Sequence, residues 1–112
     1  MKTKDFAKLV ASAADDIQAI DLKILDLAKL SSFTDYFVIC SGRSDTQVRA
    51  IADSILRKAK EVGRMPIGTE GYAEGHWILI DFGEVVAHIF YQEVRDLYDL
   101  EKLWFDAKKI SL

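Results

Sequence analysis

Several side chains in this sequence could perform chemistry if the fold brought them together. Asp26, Asp35 and Asp81 lie beside apolar runs that are typical of strands, and a turn of serine and glycine runs from Ser41 to Ser44. Converging carboxylates can hold hydrated Mg²⁺, and a glycine-containing turn that opens a helix can present backbone N–H groups to a phosphate. These residues therefore form a candidate nucleotide-binding or phosphoryl-transfer site.

The spacing of these residues argues against that chemistry. The sequence has no Asp-x-Asp pair, no Walker lysine pattern and no GxGxxG motif. His76 and His88 are the only histidines, and Cys40, the only cysteine, lies inside an apolar run. A metal site needs more ligands at suitable spacing, and a cysteine in such a run is typical of a small buried hydrophobic residue. We expect no catalytic group, no metal and no cofactor, with the aspartates capping turns.

Composition limits the class of protein. The length of 112 residues predicts a single domain over residues 1–112, and 18 acidic against 15 basic residues give a net charge of −3. Without a basic excess, a dedicated nucleic-acid site is not expected, although a local basic surface patch stays open. No apolar run is long enough for a membrane span, and the charged N-terminus is unlike a signal peptide. We therefore expect a cytoplasmic protein.

Hydrophobic periodicity indicates which elements carry these residues. The expected helices cover residues 3–19, 45–62 and, as one short helix, 93–105. The expected strands cover residues 22–27, 36–41, an irregular edge strand within 64–71, and a hairpin of 76–81 and 85–91. Ser44 or Asp45 is the expected N-cap of the second helix, and Gly63 is suited to end it. This pattern predicts an α/β fold with one mixed sheet of about five strands.

The hairpin has two unlike faces. Ile78 and Ile80 share an aliphatic face with Val85, Ala87 and Ile89, which should pack under helices. The opposite face carries Trp77, Leu79, Asp81, Val86, His88 and Phe90. If helices cover only one side of the sheet, this second face stays partly open and marks a partner site. The alternative is that the C-terminal helix covers it, and His88 is then a core residue instead of a partner-facing one.

Long stretches of the sequence resemble one family. LDLAKLSSFTDYFVICSGRSDTQVRAIAD, GTEGYAEGHWILIDFGEVVAHIF and YDLEKLW are similar to the ribosomal silencing factors, also called Iojap-related proteins, and the similarity covers about residues 5–105. The resemblance implies a compact α/β fold with a mixed sheet, similar to a nucleotidyltransferase core but without its catalytic acids. That implication agrees with the missing Asp-x-Asp pair.

The resemblance also implies a function. Members of the family bind the large ribosomal subunit through ribosomal protein L-fourteen, keep the small subunit away and lower translation when nutrients are short. Contact with ribosomal RNA stays open. By resemblance, the docking role falls on the second face of the hairpin and the C-terminal segment, with Asp35 and Tyr36 as weaker candidates. The expected partner-binding residues are Trp77, Leu79, His88, Tyr98, Asp99 and Leu100.

Two other classes of function stay open at this point. One is a nucleotide-binding or nucleotidyltransferase-like enzyme that uses Asp26, Asp35, Asp81 and the Ser41–Ser44 turn. The other is a self-associating module that forms a homodimer through the same apolar face. Such a homodimer would hide the docking surface, so these two uses of the face would compete.

Overall fold

Six strands form one mixed sheet at the centre of the molecule, in the order β3-β4-β5-β2-β1-β6. The computed structural model describes residues 1–112. Its elements are α1 (Thr3–Asp15), β1 (Ile20–Asp26), β2 (Tyr36–Gly42), α2 (Asp45–Glu61), β3 (Gly68–Glu70), β4 (Trp77–Asp81), β5 (Val85–Tyr91), α3 (Gln92–Tyr98), α4 (Leu100–Leu103) and β6 (Lys108–Ile110). Only β2 and β5 are parallel neighbours, and the other pairs are antiparallel.

The helices α1 and α2 cover one face of the sheet. Ser54 of α2 donates a hydrogen bond to the Ala13 carbonyl oxygen of α1, with 2.8 Å between the two oxygens. The aliphatic side of the hairpin lies beneath these helices as predicted, because every one of its members is fully buried: Ile78, Ile80, Val85, Ala87 and Ile89. None of the helices combines the length and the apolar composition that crossing a bilayer would require.

The ends of α2 follow the expected signals. The Ser44 hydroxyl accepts a hydrogen bond from the Gln47 backbone N–H at 3.0 Å and so satisfies a free donor of the first turn. Gly63 follows the C-cap with a φ of 77°, a left-handed conformation that glycine adopts without a side-chain clash. The capping prediction for this helix is therefore confirmed, with Ser44 as the residue that caps.

The C-terminal region differs from the prediction. About five strands were expected, but a sixth strand, β6, pairs antiparallel with β1. This strand is only three residues long and carries two lysines, so it lacks the alternation that identifies a strand. The single helix expected over residues 93–105 is two short helices, α3 and α4, because Asp99 between them has a φ of 47° and turns the chain.

Two glycines have similar backbone conformations but different space around them. Gly71 and Gly63 both have positive φ values, of 81° and 77°. A Cβ at Gly71 would collide with the Trp77 carbonyl, whereas one at Gly63 would meet open space. We expect Gly63→Ala to lower the free energy of unfolding by about 1 to 2 kcal/mol through strain alone, and Gly71→Ala to lower it by roughly 3 kcal/mol or more. Urea denaturation measures both, and equal losses would contradict the collision at Gly71.

Candidate partner-binding site

The second face of the sheet is only half covered. The C-terminal segment from α3 to β6 packs over part of it and encloses a small second core of Leu25, Leu27, Ile39, Phe90 and Ala107. Around this core lie partly exposed apolar side chains: Phe37, Trp77, Val94, Leu100 and Trp104. The open-face and covered-face predictions are thus each true for part of this surface.

Trp77 lies where the covered part of this face meets the open part. Its indole stacks on Phe90 with 5.0 Å between ring centroids and contacts the Tyr98 ring at 4.4 Å. Its Nε1–H donates a hydrogen bond to Nδ1 of His88 at 3.1 Å. Trp77 and Leu79 are partly exposed, and Tyr98 is 51% exposed. We call Trp77, Leu79, Tyr98, Asp99 and Leu100 the aromatic patch.

His88 belongs to the core. It is 4% exposed, and its ring meets the Phe37 ring at 4.5 Å between centroids. The imidazole is therefore not on the surface of the free protein. The sequence allowed either a core or a partner-facing position for His88, and the structure shows the core position. Burial lowers the pKa of His88 to about 4, so the ring is neutral at physiological pH. Because Nδ1 accepts the bond from Trp77, the proton of the neutral ring is on Nε2.

A buried arginine anchors the segment that carries Tyr98. Arg95 in α3 is 7% exposed and donates from Nε to Glu101 Oε1 at 2.8 Å and from Nη1 to Ser41 Oγ at 3.0 Å. Lys23 of β1 also binds Glu101. Burial opposes ionisation of Glu101, but the bonds from Arg95 and Lys23 outweigh it and hold its pKa below the usual value. The ionised carboxylate thus ties α3 and α4 to the sheet.

Arg95 was missed by sequence reasoning. It follows directly on the partly buried Val94 in a helix of seven residues, too short to show a reliable polar face. Its side-chain partners Ser41 and Glu101 are 54 and six positions away in sequence. The C-terminal segment carries several other charged residues, so an arginine six positions before a glutamate was not a distinguishing signal.

The candidate nucleotide site is not assembled. The Asp26 carboxylate accepts from the Ala28 N–H at 3.1 Å, and the Asp81 carboxylate accepts from the Gly83 N–H at 2.7 Å, so both cap turns. The Ser41–Ser44 turn follows the other end of β2, about 20 Å from Asp35 for a seven-residue strand. No group of three or more histidine, cysteine or acidic side chains is placed to hold a metal ion.

The two weaker docking candidates lie away from the aromatic patch. Asp35 and Tyr36 are at the start of β2, whereas Trp77 pairs with Phe90, which in turn pairs with Ser41 near the end of that strand. Burial, with smaller effects from Asp26 and Asp35, raises the pKa of the Tyr36 hydroxyl. Cys40 is fully buried, which raises its thiol pKa to about 12 and keeps it protonated.

The fold and this surface define the class of protein. It is an α/β domain with a six-stranded mixed sheet, in which two helices cover one face and a pinned C-terminal segment leaves aromatic side chains partly exposed on the other.

Comparison with known proteins agrees with this class. The family model described as "Ribosomal silencing factor during starvation" matches residues 1–112. Ribosomal silencing factor RsfS of Bacillus subtilis is 46% identical over 112 residues, covering 100% of this chain and 95% of the relative. The chloroplastic protein Iojap of Zea mays is 35% identical over 96% of this chain, which spans 46% of that longer protein.

Solved structures give the same result. A crystal structure of a Chromobacterium violaceum protein superposes with a TM-score of 0.91 at 39% identity, covering 100% of this chain and 92% of the other. A Bacillus halodurans protein superposes with a TM-score of 0.86 at 38% identity, covering 97% and 99%. The chain belongs to the ribosomal silencing factor family, as its motifs indicated.

The buried imidazole generates a pH dependence of stability. The pKa of His88 is about 4 in the folded chain and near the ordinary 6.5 when unfolded, so the unfolded state binds more protons between these values. The contribution of His88 to the free energy of unfolding is therefore fully present above pH 6.5. It is lost as the pH decreases toward 4, by about 3 kcal/mol in total. In His88→Asn, an amide oxygen can accept from Trp77 without titrating. We expect urea denaturation to show a smaller loss between pH 7.5 and 4.5 for this variant, and parallel curves would contradict a buried neutral His88.

Proposed function

We propose that this protein binds the large ribosomal subunit through ribosomal protein L-fourteen and keeps the small subunit from joining, which lowers translation when nutrients are short. The aromatic patch is the docking surface in this proposal. The observation that supports it most is the half-covered sheet face around Trp77, because partly exposed aromatics on a rigid element are the usual anchors of a protein interface. The family to which the chain belongs supports the same role.

Contacts within the free protein already hold the Trp77 side chain of the aromatic patch in place. Phe90 and His88 support the Trp77 indole from the sheet, and Tyr98 contacts it from α3. A side chain held in this way loses little rotamer freedom on docking, so more of the buried apolar area contributes to affinity. The partner therefore needs an apolar surface that can exclude water from Trp77, Leu79 and Tyr98 together.

Charge supports a basic partner. The chain carries a net charge of −3, and Asp99 is an exposed acid at the edge of the patch. Opposite charge speeds encounter and selects orientation more than it adds to affinity. A basic protein of the large subunit fits this requirement, and the apolar centre with a polar rim is the usual anatomy of such an interface.

The proposed mechanism is steric. The domain measures 33 × 32 × 23 Å, so once docked on the joining surface of the large subunit it would occupy space that the small subunit needs. Repression by exclusion needs no catalytic group and no cofactor. An enzymatic role is not favoured, because the candidate nucleotide residues lie at opposite ends of β2. We place this activity in the cytoplasm, where a bacterial chain of this family would meet its ribosomes.

Removing the central indole tests the docking surface. We expect Trp77→Ala to weaken binding to purified large subunits by more than about 1 kcal/mol, because a supported aromatic at the centre of an interface is a hot spot. Co-sedimentation through a sucrose gradient measures the bound fraction, with purified small subunits as the negative control.

The matched control for that experiment is Tyr72→Ala. Tyr72 is an aromatic residue that is 41% exposed and binds Asp53 of α2, so it lies away from the patch. Far-ultraviolet circular dichroism confirms that both variants are folded. Equal retention of Trp77→Ala and the wild-type chain would remove Trp77 from the interface, and light scattering shows whether self-association of the free protein competes.

A further inference from the structure

A second exposed apolar surface lies on the other side of the sheet from the aromatic patch. It is a groove of about 420 Å³ between α2 and the edge strand β3, and its lining residues are Leu56, Arg57, Lys60, Met65, Pro66 and Thr69. Thr69 pairs with Ile80, whose side chain is buried under the helices, so the groove opens on the helix-covered side. Met65 and Ile67 are 68% and 75% exposed, a large apolar area beside a sheet edge.

The edge of the sheet next to this groove has no strand paired to its outer side. β3 is the first strand in the sheet order, so its outer side pairs with no other strand. At the opposite edge β6 carries Lys108 and Lys109, charges of the kind that discourage further pairing. The residues of β3, Gly68 to Glu70, are all exposed and include neither lysine nor proline. Their one charged residue, Glu70, pairs with Leu79 and so lies on the face away from the groove. This edge can therefore accept an added strand.

The charge of the groove indicates which charge an added strand should carry. Two cations and no carboxylate line it, although the chain as a whole carries a net charge of −3. Other cations of α2 and the following loop are paired: Arg49 with Asp45, Lys58 with Asp16, and Arg64 with Glu84. Arg57 and Lys60 form no ion pair and are exposed. The groove thus offers two free positive charges beside an apolar floor.

A second copy of this chain fits the groove poorly. Antiparallel pairing of β3 with its own copy about a two-fold axis would place both α2 helices on the same side of the joined sheet. Arg57 and Lys60 would then face the same cations of the partner copy. Like charges that face each other across an interface oppose binding, so the occupant should carry acids instead.

We propose that this groove binds an extended acidic segment of another protein, which adds to β3 as a strand. Main-chain hydrogen bonds to the β3 edge would give the register, an apolar side chain would enter the groove, and flanking carboxylates would pair with Arg57 and Lys60. The protein would then have two docking surfaces of opposite charge preference on opposite sides of one sheet. This second surface does not depend on the ribosomal role proposed above.

A pair of synthetic peptides tests the proposal. Each has three central valine or isoleucine residues, flanked at both ends by two glutamates in the probe and by two lysines in the control. Titration of the ¹⁵N-labelled protein should shift the amide signals of Ile67 to Glu70 and of the α2 residues around Arg57 with the glutamate peptide, and leave them in place with the lysine peptide. We expect Arg57→Glu and Lys60→Glu each to weaken binding by about fivefold or more, and Thr69→Pro to weaken it by removing an edge N–H.

The control variant is Lys4→Glu, which makes the same charge change at an exposed position of α1 and should bind as the wild-type chain does. Equal binding of the two peptides, or shifts located elsewhere, would overturn the proposal. So would concentration-dependent shifts of the same amides without peptide, which would identify a second copy of this chain as the occupant. Displacement of the glutamate peptide by single-stranded RNA would also overturn it, because the groove would then select phosphate.

Discussion

The structure depends on one constraint: a six-stranded sheet has two apolar faces, but only two long helices are available to cover them. α1 and α2 pack on the same face and completely bury the aliphatic side of the hairpin. On the other face, only the short C-terminal segment shields apolar side chains from solvent, and it covers only part of that face. Apolar side chains left half covered on a rigid sheet favour contact with another surface. The aromatic patch is therefore a direct consequence of how the helices are shared between the faces.

A polar network fixes the position of the C-terminal segment on the sheet. Burying a guanidinium is costly unless its charge is paired, and Glu101 pairs with Nε of Arg95 while Ser41 accepts from Nη1; Nη2 is buried without a hydrogen-bond partner. Because Glu101 also binds Lys23 of β1, α3 and α4 are tied to the sheet at a defined position. That position puts Tyr98 against Trp77. The ion pairs thus orient the aromatic residues that the proposed function uses.

The sequence predicts most of the fold but less of the site. The period of α2, its Ser44 cap and the alternation in the hairpin are local signals, and each appears in the structure where it was expected. β6 and the kink at Asp99 depend on pairing and packing with distant residues, which no local pattern records. The burial of His88 has the same origin, because the C-terminal segment and the neighbouring strands enclose it. Periodicity shows which side chains share a face, and tertiary contacts decide how much of that face stays open.

The most direct measurement of the central claim is hydroxyl-radical footprinting of the protein, free and bound to purified large ribosomal subunits. Oxidation of Trp77, Leu79 and Tyr98 reports the exposure of the patch, and Tyr72 and Met65 report the helix-covered side. We expect binding to protect the three patch residues strongly and to leave Tyr72 and Met65 accessible. Protection of Tyr72 and Met65, with unchanged oxidation of Trp77, would contradict docking through the half-covered face.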